Sequence, residues 1–97
     1  MNIEFTFQQE ANHLHIAGYL NIYTVAEAKT RMQSLAKATL DLSGITKFDG
    51  SGLQLLMVLH RDIGITITTA NDTVTDVLQL AGQTGLMTPK SAGGGKA

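Results

Sequence analysis

One serine in this chain is placed to do chemistry. Ser51 stands between Gly50 and Gly52, two residues after Asp49, and the apolar run Leu53, Leu55, Leu56, Met57, Val58 and Leu59 follows at once. With the short apolar stretch Leu40–Leu42 upstream, this order reads as a buried strand, a loop, and a serine at the entrance of a helix. At a helix N-terminus the backbone N–H groups are unpaired and the dipole end is positive. A phosphate on the Ser51 hydroxyl would be partly neutralised there, while Asp49 nearby would oppose it. The plain alternative is that Ser51 caps the helix, because serine before an apolar run is ordinary capping chemistry.

Other chemistries fit these residues less well. A strand, a turn, a serine and a helix also make the nucleophile elbow of hydrolases. Here Asp49 and Leu53 stand where that motif needs glycines. His13, His15 and His60 are the available bases, but two lie on a hairpin and one ends a helix. The stretch from Gly44 to Gly52 lacks the Gly-Lys-Ser/Thr of a phosphate-binding loop. His13 and His15 share one strand face, and without a third acidic or histidine ligand nearby they read as solvated side chains. The expectation is therefore a binding protein and not an enzyme, with no catalytic residue, no metal and no cofactor.

The elements that must position Ser51 follow from periodicity. Ile3, Phe5 and Phe7 alternate with polar residues, as do Leu14 and Ile16 with His13 and His15, which predicts two strands joined at Gln9–Asn12 as a hairpin. Gly18 and Asn21 close the second strand. Thr24 and Glu27 have capping-box spacing, and Val25, Ala28, Met32 and Leu35 predict an amphipathic helix from 25 to about 37. Thr39–Leu42 reads as a central strand. Leu53–Leu59 reads as a helix apolar on nearly every side, either deeply buried or offering a flank to a partner. Ile63, Ile65 and Ile67 predict another strand. Asn71 and Asp72 cap a helix carrying Val74, Val77, Leu78 and Ala81, with Gly82 at its end. Leu86 and Met87 read as a short last strand, and the tail 90–97 as flexible. Strands separated by helices pair in parallel through right-handed crossovers. The predicted fold is α/β: one domain over 1–89, with an N-terminal β-hairpin on a mostly parallel sheet packed with about three helices.

Composition narrows the function classes. Ninety-seven residues make one domain, which buries roughly 60–65% of its unfolded surface. Seven Lys and Arg face eight Asp and Glu, and only five residues are aromatic, so nothing directs the chain to nucleic acid or an anionic membrane surface. Cysteine is absent, which excludes disulfides and thiolate metal sites. The apolar run from Leu53 to Leu59 is far short of the ~20 residues a membrane span needs. The beginning, Met1-Asn2-Ile3-Glu4, is unlike a signal peptide, so a cytoplasmic protein without membrane insertion is expected.

Leu40-Asp41-Leu42-Ser43-Gly44-Ile45 followed by Phe48-Asp49-Gly50-Ser51-Gly52-Leu53 closely resembles the central signature of the STAS domain, the fold of bacterial anti-sigma factor antagonists. Ile16–Asn21 resembles that family's second strand and its exit, and Asn71–Gly82 its third helix. The resemblance implies a protein-binding regulatory module. Its partner would be an anti-sigma factor acting as serine kinase, or another histidine-kinase-like signalling protein. Ser51 aligns with the family's phosphoacceptor and Asp49 with the acidic residue before it, with Gly50 and Gly52 around the phosphosite. The implied partner surface includes Asn21, Tyr23, Thr24, Lys47, Phe48, Leu53 and Gln54, with the exposed edge of the second helix. Three features depart from the family. Gly50 stands where many relatives carry a second hydroxyl, Asn21 stands where kinase-linked relatives usually carry Asp, and Leu53–Ile65 is several residues short. The Asn21 and Gly50 departures support an alternative, an unphosphorylated adaptor subunit of a chemotaxis or membrane lipid-transport assembly, and the short stretch implies a truncated second helix.

Overall fold

A computed structural model describes residues 3–88; the expected tail, 90–97, lies outside the described residues. Apolar alternation builds the sheet. Strand β1 (Phe5–Glu10) pairs antiparallel with β2 (His13–Leu20) through a tight turn in which Ala11 takes φ 53°. Leu14, Ile16, Gly18 and Leu20 point into the core, and His13, His15, Ala17 and Tyr19 stand on the other face. Strand β2 continues through Gly18, whose φ of +87° and close approach to the Glu4 carbonyl require glycine.

Strand β3 (Thr39–Phe48) pairs in parallel with β2 and with β4 (Thr66–Ala70), giving the sheet order β1-β2-β3-β4. The mixed α/β architecture agrees with the sequence reading, but β3 is much longer than the predicted Thr39–Leu42. Two register shifts against β2 break its alternation after Asp41, so Ser43–Lys47 has no readable period. The side-chain amide of Asn71 donates to the Ser43 carbonyl at 2.9 Å and the Ile45 carbonyl at 2.7 Å, supporting the irregular stretch.

Three helices complete the core: α1 (Val25–Met32), α2 (Gly50–Ile63) and α3 (Asp72–Leu80). Ala28 and Met32 from α1, Leu55, Leu56 and Leu59 from α2, and Val74 and Leu78 from α3 pack with Leu14, Leu40, Leu42 and Ile67 in one cluster. Helix α1 stops five residues earlier than the predicted end near 37. Leu35 still packs on the core, but from a turn in which Lys37 adopts φ 60° and donates its N–H to the Ile63 carbonyl at 2.6 Å. Ile63, predicted in a strand, closes α2, because Gly64 at φ 73° ends that helix and delays β4 to Thr66. Asn71 caps α3 as expected, accepting from the Val74 N–H. Leu86 and Met87 lie in a short 3-10 helix (Thr84–Met87) and not in a strand. Among the described residues, no helix is long and apolar enough to cross a membrane.

Candidate functional site

Leu20 and Phe48 are register partners, so β2 and β3 end side by side. The carboxyl ends of adjacent parallel strands are where α/β folds place their binding loops. Two segments emerge there, Asn21–Thr24 from β2 and Asp49–Gly52 from β3.

Asp49 joins them. Its backbone is extended, with φ −126° and ψ −173°, and one carboxylate oxygen accepts from the N–H groups of Ser51 at 2.9 Å and Gly52 at 3.1 Å. The other oxygen faces the Ile22 N–H at 3.4 Å. Asp49 is therefore the N-cap of α2, and the reading of Ser51 as the cap is corrected. Ser51 occupies the second helical position, partly exposed, and its hydroxyl makes no hydrogen bond to any described residue. Gly50 faces open space, whereas a Cβ on Gly52 would run into the Leu20 carbonyl and the Phe48 ring. The helix entrance is thus pressed against the end of β2.

The capping box predicted at Thr24 does not form. The Thr24 hydroxyl donates to the Tyr19 carbonyl at 2.8 Å and accepts from the Asn21 N–H at 3.1 Å, while Glu27 pairs with Arg31 at 3.0 Å. The Asn21 side-chain oxygen accepts from the Tyr23 N–H at 3.0 Å. Asn21 and Thr24 are buried and shape the loop from inside. Ile22 and Tyr23, by contrast, are 62% and 63% exposed. A partner at this loop would meet Ile22 and Tyr23. Lys47, Gly50 and Gln54 are exposed around them, and Phe48, Asp49 and Leu53 are half-buried. The outer flank of α2 continues from Gln54 through Met57, Val58 and Arg61 as a shallow groove closed by Gln83 and Leu86.

A family model described as Mlab, STAS domain, matches residues 3–88. The chain belongs to the STAS-domain family. Among the curated proteins none matches the chain. The match covers every element described above, so the loop pair at Asp49 lies within the STAS fold.

This STAS domain carries a second polar cluster. The expectation that His13 and His15 lack a third ligand is corrected, because Asp41 on β3 stands beside His15, with 3.0 Å between Nδ1 and the carboxylate. Spacing could not reveal it, because cross-strand register brings the groups together. The Ser43 hydroxyl first, then the Ser43 N–H, hold the Asp41 carboxyl below its ordinary pKa. Partial burial opposes them, and His15 adds a smaller lowering.

The cap makes a direct prediction. Asp49→Ala removes an acceptor from two helix N–H groups and should destabilise the domain by about 1–2 kcal/mol. Thermal unfolding should show this, with Asp49→Asn recovering most of the loss, since asparagine caps as well as aspartate. Equal stability of Asp49→Ala and the parent would contradict the capping geometry.

Proposed function

We propose that this STAS domain is a non-catalytic regulatory module that binds a signalling protein through the Ile22–Tyr23 loop and the Asp49–Gln54 entrance of α2, and that phosphorylation of Ser51 switches the contact. The observation that carries this reading is the Ser51 hydroxyl, which makes no hydrogen bond to any described residue because Asp49 does the capping. A partly exposed serine at the second helical position whose hydroxyl is not used for capping is open to modification. Its phosphate would place about −1.5 to −2 charges beside two exposed apolar side chains. A partner covering Ile22 and Tyr23 would have to desolvate that charge. By the resemblance, the partner is an anti-sigma factor with serine-kinase activity or a related histidine-kinase-like protein. The transferred phosphoryl group would come from that partner's ATP and the departing proton from the Ser51 hydroxyl.

Asn21 and Gly50 support a second reading, a fixed adaptor in a larger assembly. Gly50 has open space where a second hydroxyl would fit, and Asn21 spends its side-chain oxygen inside the loop. Intact mass of the untagged protein from its own cells separates the two. The switch predicts an added phosphate that disappears in Ser51→Ala, with a kinase co-purifying. A partner that co-purifies with protein unphosphorylated under all growth conditions would replace the switch with the adaptor.

A further inference from the structure

His13 and His15 stand two residues apart on β2, on the face opposite the core. Parallel pairing sets Thr39 beside His13 and Asp41 beside His15. The contacts follow that register. His15 Nδ1 lies 3.0 Å from an Asp41 oxygen, and His13 Nδ1 lies 2.6 Å from the Thr39 hydroxyl. The two rings meet edge to face with centroids 4.8 Å apart.

We propose that His13, His15 and Asp41 form a binding site for a divalent transition-metal ion on the open face of the sheet. One donor atom from each residue lies within 4.8 Å of the others. Two imidazoles and a carboxylate suit Zn²⁺, Ni²⁺, Co²⁺ or Cu²⁺ better than the oxygen-seeking Mg²⁺ and Ca²⁺. Metal bonds of about 2.0–2.2 Å require these donors to draw closer by side-chain rotation. The site has that freedom, because the His15 side chain is 44% exposed and that of Asp41 21%.

The surroundings hold the donors in place. Ser43 gives its N–H at 2.9 Å and its hydroxyl at 2.7 Å to one Asp41 oxygen, which leaves the other directed at His15. Thr39 engages His13 through Nδ1 and leaves Nε2 for the ion. Ligating histidines and carboxylates characteristically have such outer partners, which fix their orientation. Glu10, the register partner of His13 on β1, adds a further carboxylate to the same face. Three protein ligands would leave a coordination position for water or for a side chain of a bound partner. The cluster lies toward the N-terminal ends of β2 and β3, whereas Asp49 follows their C-terminal ends, so this site is independent of the Ser51 switch.

The test is calorimetric titration of the untagged full chain with zinc chloride and, separately, nickel chloride, using magnesium chloride as a control. One ion per chain should bind with micromolar affinity, and His15→Gln and Asp41→Asn should each weaken it about tenfold or more, while His60→Gln leaves it unchanged. In the parent protein, zinc should shift the ring protons of His13 and His15 in the NMR spectrum and leave those of His60 in place, a readout that needs no variant. The absence of saturable binding, unshifted His13 and His15 rings, or full affinity in both His15→Gln and Asp41→Asn would each overturn the site.

Discussion

Ser51→Asp is expected to weaken binding of the co-purifying partner by about a hundredfold or more, while Ser51→Ala stays within about threefold of the parent. A permanent carboxylate at the second position of α2 would lie at the rim of Ile22 and Tyr23, two large apolar side chains exposed on the loop after β2. Burying a charge against such a contact, or setting it beside a like charge on the partner, costs several kcal/mol. A hundredfold loss needs about 2.7 kcal/mol of that. The fold should tolerate the substitution. A negative charge in the first helical turn gains about 0.3–1 kcal/mol from the dipole, and repulsion from Asp49 offsets part of it. The alanine variant loses only a hydroxyl that makes no hydrogen bond to a described residue. Affinities measured by calorimetry, beside unfolding curves, decide the matter. Equal binding by Ser51→Asp and the parent would remove the switch from this surface.

Gly52→Val should cost the domain about 2 kcal/mol or more, because the added carbon atoms occupy space already held by the Leu20 carbonyl and the Phe48 ring. A domain of this size reports that as a Tm lower by roughly 10 °C. Gly50→Ala, two residues earlier with nothing in reach, should match or slightly exceed the parent. The pair isolates the packing of the helix entrance against the end of β2. If both substitutions were equally mild, α2 would not sit against β2 as described.

Much of this architecture was legible because local patterns and tertiary packing agree. The β1–β2 hairpin shows period-two alternation, and α3 has both its cap and its stripe. Legibility failed where a residue had two acceptable partners. Thr24 is spaced for a capping box, yet the Tyr19 carbonyl takes its hydroxyl. Asp49 and Ser51 are both good caps, and only the extended backbone at Asp49 decides between them. The second half of β3 was hidden by register shifts, which erase the alternation that identifies a strand. The meeting of His15 with Asp41 depends on strand register, and no spacing within a single segment encodes it. Ser51 could be singled out from sequence, but its idle hydroxyl could not, since that follows from which neighbour caps the helix.

The sheet order β1-β2-β3-β4 is also the order of the strands along the chain. Each strand therefore pairs with the one that precedes it, and no loop has to close around an intervening strand. The two parallel pairings still have to close across a helix each, setting Leu14 beside Leu40 and Leu40 beside Ile67, so they form more slowly than the β1–β2 hairpin. The consequence reaches the Asp49 surface, which rests on the β2–β3 pair and the first turn of α2. Its parts all precede β4 and α3 in the chain, so the residues of the proposed contact surface emerge from the ribosome ahead of the elements that complete the core.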